Sequence, residues 1–253
     1  YYLILYFTCK CTGRFDAYIH SINNIVIIDY NTIFIGGFMK LDDAKIKLDL
    51  IINVPLGNWM TQDQLQGIIR NKGKAGQLLE IALGLKNTSN NLDFEDGELK
   101  TNKCNRFGKP LETMFITQVL SIIDELLSAQ NFYDTRLYGK IDNLLYVPIS
   151  KDGSPEEWFF LPYKHVNLNE KKYYDLKIQL ERDYYSICKQ LKEHIEKGKD
   201  GNIHTSSGEL IQIRSKDSMP YSPIYSKIYN KYVSNKNHAF YFKKEYMHYI
   251  TNN

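Results

Sequence analysis

The chain has 253 residues, 43% hydrophobic and 24% charged, with a formal net charge of +3. It is long enough to bury a substantial core in one large domain, and its composition excludes disordered, collagen-like and disulfide-scaffold classes. So small a net charge neither demands nor excludes a polyanionic partner.

The amino end carries two apolar runs, YYLILYF and NNIVII, with Asp16 and Asp29 among residues 1–38. No uninterrupted span of membrane length results, and no basic region precedes a cleavage site, so neither an anchor nor a signal peptide is expected. The first methionine is Met39; the functional domain is expected to cover 39–253, with 1–38 an extension outside the fold. Thr61-x-x-Gln64 has the spacing of a capping box and predicts a helix over about 61–70. KAGQLLEIALG predicts a second over 74–84, with Leu78, Leu79, Ala82 and Leu83 as its buried stripe. Strands are expected at 97–102, 112–120, 143–149 and 156–163, where β-branched and aromatic residues gather. Asn169 is placed to cap a long helix running to 197 and ended by Gly198 and Gly201. Residues 203–214 read as a hairpin turning at Ser206-Ser207-Gly208. After Pro220 and Pro223, residues 238–244 form a strand that leads into a short last helix. Helices before and after a mixed central sheet indicate an α/β (α+β) domain.

Charge is unevenly spread. Between 214 and 244, seven basic residues face one acid, Asp217, so this stretch alone exceeds the charge of the whole chain. Tyr221, Tyr225, Tyr229, Tyr232, Phe240, Tyr241 and Phe242 are interleaved with them. Such a segment suits phosphate contacts and approach to base edges, although a solvated basic face has the same composition. Cys9, Cys11, Cys104 and Cys188 lack the paired spacing of a zinc site and suggest no disulfide framework, which fits a reduced, cytoplasmic setting.

The stretch LDFEDGELKTN, residues 92–102, holds four carboxylates and a lysine around Gly97. On a strand Glu98 and Lys100 point to the same face. Asp93 returns from the preceding turn, which Gly97 allows to be tight. Two carboxylates can hold Mg²⁺, a hard cation that keeps waters for reaction, and a neighbouring lysine can orient the attacking water and offset charge on a phosphate in transition. An E-x-K triplet alone means little, since about one is expected in a chain of this size. A second, Glu170-Lys171-Lys172, opens the long helix. Only the first sits at a turn-to-strand junction with an extra acid. Glu80 is a further clue: within LLEIALG a carboxylate is expensive to bury without a partner, unless it lies on the polar side of its helix.

NKGKAGQLLEIALG (71–84), DFEDGELKT (93–101) and GKPLETMFIT (108–117) together resemble the MutH family of the mismatch-repair nickase and GATC-specific restriction endonucleases. YGKIDNLLYVPI (138–149), GELIQIRSK (208–216) and AFYFKK (239–244) continue the likeness in order. The resemblance implies a restriction-endonuclease-like fold, a mixed central sheet flanked by helices with two lobes around a DNA cleft. It implies Asp93 and Glu98 as Mg²⁺ ligands, Lys100 beside the attacking water, and Glu80 and Lys140 as further active-site residues. Lys72, Glu112, Arg214, Lys216 and Tyr241 fall on positions associated with double-stranded DNA, and an arginine fork suits guanine O6 and N7. Two departures stand out. Only FEDG separates Asp93 from Glu98, a shorter turn than the nickase has, which leaves Glu95 and Asp96 as alternatives to Asp93 for the first ligand. Ser215 follows Arg214 where the nickase has proline.

The resemblance thus implies an Mg²⁺-dependent endonuclease at GATC. The shortened turn, and an Asn-, Lys- and Ile-rich composition typical of an AT-rich genome, lean toward a type II restriction enzyme, with a transient homodimer on DNA. The alternatives are a repair nickase of the unmethylated strand, switched on by an activator protein, and a DNA-binding module without activity.

Overall fold

A computed structural model describes residues 19–22, 25–28, 39–70, 74–85, 92–216 and 219–252. Among the described residues, strands β1 (Ile19–Ile22) and β2 (Ile25–Ile28) pair with each other; the rest of 1–38, and so most of the expected extension, lies outside the described residues. Three helices follow, α1 (Leu41–Leu48), α2 (Gln62–Arg70) and α3 (Lys74–Leu83). Then come β3 (Glu98–Lys100), β4 (Lys103–Cys104), β5 (Met114–Gln118), α4 (Ile123–Ser128) and α5 (Arg136–Gly139). Strands β6 (Asn143–Tyr146), β7 (Ile149–Ser150), β8 (Phe159–Phe160) and β9 (Lys164–Asn167) precede the long α6 (Tyr174–Lys197). The chain closes with β10 (Ser206–Ser207), β11 (Ile211–Lys216), β12 (Ile224–Ser226), β13 (Lys231–Ser234), β14 (Asn237–Phe242) and α7 (Lys244–Asn252). This is the mixed α+β architecture expected. Among the described residues no helix is long and apolar enough to cross a membrane.

Two sheets matter. One runs β3-β6-β9 and continues as β4-β7-β8, with β3 parallel to β6 and β9 antiparallel to it. Backbone bonds bridge the two halves, from Val147 N–H to the Lys100 carbonyl (2.8 Å) and Ile149 N–H to that of Asn102 (3.0 Å), so they form one bent ribbon. The other sheet, β10-β11-β14-β5, is antiparallel throughout.

Two hydrophobic cores flank the central strand. Leu144 and Tyr146 of β6 enter the larger core, under the second sheet and α6, whereas Leu145 and Val147 enter the smaller one, under α1, α2 and α3. Alternation along a strand buried on both faces therefore joins two lobes. Helix α6 lays Leu176, Leu180, Tyr184, Ile187, Leu191 and Ile195 on the larger core, the spacing of a single helical stripe.

Several local expectations hold. Thr61 N–H donates to Gln64 Oε1 (2.9 Å) and Gln64 N–H to Thr61 Oγ1 (3.3 Å), completing the capping box. Gly198 is the C-cap of α6. Others are corrected. Asn169 does not cap α6, which starts at Tyr174 after a 3₁₀ turn at Lys171–Tyr173; its side chain instead accepts from Lys177 Nζ (3.1 Å). The strand expected over 156–163 shrinks to Phe159–Phe160, because Ser154 and Pro155 open a 3₁₀ turn through Glu157. In the 203–214 hairpin, Ser206 and Ser207 are strand residues and the turn follows at 208–210.

Candidate active site

The acidic stretch enters β3 through a close approach. A Cβ on Gly97 would meet the Asn143 carbonyl oxygen at 2.6 Å and Leu41 Cδ1 at 2.9 Å, so only glycine passes here. Beyond it Leu99 packs in the smaller core and the two flanking side chains turn to the opposite face. Glu98 is only 2% exposed. Its Oε1 accepts from Lys100 Nζ and its Oε2 from Lys140 Nζ at 2.8 Å. Lys140 caps α5 where the chain turns into β6, the strand paired with β3; Thr135 caps the other end of that helix by accepting from Tyr138 N–H (3.1 Å). A buried carboxylate carries a large desolvation penalty, which two ammoniums offset here.

Asp93 returns as the sequence suggests: its Oδ2 accepts the Leu99 N–H (2.9 Å), which seats its carboxylate on the peptide following Glu98. The two alternatives point elsewhere. Glu95 is exposed, and Asp96 Oδ1 accepts the Leu41 N–H at the start of α1 (2.9 Å). Glu80 comes from α3 in the smaller lobe. Burial pushes its carboxyl above the ordinary glutamate range, Asp93 and Glu98 push it further, and Lys100 and Lys140 pull it back. Glu80, Asp93, Glu98, Lys100 and Lys140 therefore share one electrostatic site at the junction of the lobes. Three carboxylates against two ammoniums leave it acidic when all are ionised.

Among the described residues no group of three or more His, Cys, Asp or Glu side chains is close enough to hold a metal ion. Any cation would rest on fewer side chains, with water completing its shell, as suits Mg²⁺. The donors fit that role. A carboxylate has about four lone-pair positions; the lysines take one on each Glu98 oxygen, and Asp93 Oδ1 accepts from no described residue.

A second cluster lies on the outward face of the antiparallel sheet. The Arg214 guanidinium stacks 4.1 Å above the Tyr241 ring and donates from Nη2 to Thr113 Oγ1 (2.9 Å). Phe115 meets Tyr241 edge-on with centroids 5.9 Å apart, and Lys216 Nζ sits 5.0 Å from the Phe115 ring. Tyr241 is buried chiefly because these neighbours cover it, and burial raises its phenol above the usual range. Glu112 leads from this cluster to the acidic strand: its Oε1 accepts Lys103 N–H and its carbonyl accepts Asn102 Nδ2, both at 3.1 Å. Lys72 lies outside the described residues. Sequence reading missed Thr113 and Phe115; Phe115 is exposed on β5, but it lies between apolar Met114 and Ile116, so no alternation marked it.

No family model matches the chain. It is 30% identical over 152 residues to the DNA mismatch repair protein MutH of Haemophilus ducreyi, covering 59% of this chain and 63% of that protein. It is also 27% identical over 176 residues to the DNA mismatch repair protein MutH of Actinobacillus pleuropneumoniae serotype 5b, covering 68% and 70%. The chain thus spans a little under two thirds of the first relative's length.

Proposed function

This chain is distantly related to the MutH family, and from that premise we propose that it is a divalent-cation-dependent DNA endonuclease which nicks the unmethylated strand at GATC. The reading is carried by the buried Glu98, held by Lys100 and Lys140 beside Asp93 and Glu80. The short turn favours restriction, but each matching relative is named as a mismatch repair protein, so repair becomes the preferred role and restriction the second reading.

Asp93 and Glu98 would hold the cation, with Mg²⁺ the natural candidate. When bound it supplies a Lewis acid that makes water more acidic and offsets phosphate charge. Lys100, paired with Glu98, acts as a fixed cation that orients the attacking water and stabilises charge on the phosphate oxygens. Lys140 keeps Glu98 aimed by holding its Oε2. Glu80, made more basic by burial and by its acidic neighbours, is suited to take a proton from that water. Arg214 and Tyr241 present one rigid unit to the base edges, with Glu112 and Lys216 beside it, and the resemblance gives Lys72 a contact to the DNA backbone. Residues 39–253 carry this activity in our reading, acting alone, as a homodimer on DNA or with a repair activator.

The test incubates the full chain and Mg²⁺ with supercoiled plasmids that are unmethylated, hemimethylated or fully adenine-methylated at GATC. Nicked circles from the first two and intact fully methylated plasmid are expected, with Glu98→Ala and Lys100→Ala binding DNA without cutting. Linear product from unmethylated plasmid would shift the assignment to restriction. Binding without cutting by the unaltered chain, with or without an activator, would leave an inactive DNA-binding module.

A further inference from the structure

The turn between Asp93 and Glu98 is closed into a ring of hydrogen bonds that the proposed chemistry does not use. Asp96 Oδ1 accepts the Leu41 N–H at the start of α1 (2.9 Å). One turn later on α1, Lys45 Nζ meets His165 Nδ1 of β9 at 3.0 Å. His165 Nε2 meets Asn143 Oδ1 of β6 at 2.7 Å, and Asn143 Nδ2 returns to the Asp96 carbonyl. The directions of these bonds follow from chemistry. A carbonyl only accepts, so the amide nitrogen of Asn143 must face Asp96 and its oxygen must face His165. His165 therefore donates from Nε2, and its Nδ1 lone pair receives the Lys45 ammonium. The ring needs neutral imidazole, and burial together with Lys45 lowers the His165 pKa in agreement. It encloses Gly97, the residue with no room for a side chain.

We infer that Lys45, His165 and Asn143 are positioning residues that hold the acidic turn and thereby set the spacing of Asp93 and Glu98. None of the three belongs to the acidic site. They fix the backbone immediately before Glu98 from α1 of the smaller lobe and from the paired strands β9 and β6 between the lobes. This inference rests on the cation reading of the preceding section.

Mn²⁺ titrated calorimetrically into the full chain, without DNA, tests it. Glutamine at 165 can donate to Asn143 and accept from Lys45, whereas leucine can do neither. His165→Leu is expected to weaken Mn²⁺ binding by about tenfold or more, the usual effect of losing an outer support of a metal site. His165→Gln should bind close to the unaltered chain. Lys45→Met breaks the same ring at its other end and should also weaken binding, which keeps the test decisive if His165→Leu does not fold. Unchanged affinity in folded His165→Leu or Lys45→Met, or equal weakness in folded His165→Gln, would overturn the inference while leaving the cation site standing. An unaltered chain that takes up no Mn²⁺ would overturn both.

Discussion

Glu98 and Glu80 are carboxylates of one site with opposite environments. The first is buried between two ammoniums, one on each of its oxygens. The second meets burial and two neighbouring acids, and the same lysines offset these only in part. An acid whose folded pKa is raised binds its proton more tightly in the native state. Its contribution to stability is therefore greatest below the ordinary glutamate range and falls as pH rises through the raised value. Glu80→Gln should remove that fall: its thermal midpoint at neutral pH, without divalent cation, should exceed that of the unaltered chain, while cleavage drops. Midpoints that remain parallel from pH 4 to 8 would show that Glu80 is not under this pressure. A native cost retained at one glutamate is what a working proton acceptor requires.

At the scale of elements, two pairings determine what meets what. The parallel register of β3 with β6 sets Glu98 opposite Leu144, four residues after the helix cap from which Lys140 reaches back. The antiparallel register of β11, β14 and β5 sets Gln212 opposite Tyr241 and Tyr241 opposite Phe115, so Arg214 leans over the same ring. A guanidinium stacked on an aromatic ring and tied to Thr113 is preorganised, so less entropy is lost when it meets a base. Arg214→Ala should reduce discrimination for GATC over unrelated duplex by about 1–3 kcal/mol and lower non-specific affinity less. Competition binding at fixed salt measures both. Equal weakening on all sequences would mark Arg214 as a phosphate contact instead.

At the scale of the whole molecule, the second sheet depends on one buried acid outside the site. Asp183 of α6 accepts Glu209 N–H (2.8 Å), Ile211 N–H (3.1 Å) and Leu210 N–H, clamping the turn that starts β11. Lys243 Nζ reinforces the turn at the Gly208 carbonyl (3.0 Å). Asp183→Ala would strand these backbone donors and should lower unfolding free energy by about 3 kcal/mol or more in urea titration; Asp183→Asn, which keeps an acceptor, should lose less. A change under half a kilocalorie would refute the clamp. The two described cysteines, Cys104 and Cys188, are buried, and burial pushes their thiols up to about 12 and about 11, which disfavours the reactive thiolate.

The amino-acid sequence by itself determined the features that depend on near neighbours. Strand alternation put Glu98 and Lys100 on one face and Leu99 on the other, the Thr61 box opened α2, and Gly97 marked a close approach. Tertiary structure alone decided that Lys140, 42 residues away, would share the Glu98 carboxylate, and that Asn143, His165 and Lys45 would close around Asp96. It also decided against Asn169 as a cap, because the 3₁₀ turn at Lys171–Tyr173 moved the start of α6. The reason is physical. Periodicity and capping act within a few residues, whereas strand register is settled by how two cores divide the faces of β6, and no local pattern encodes that division.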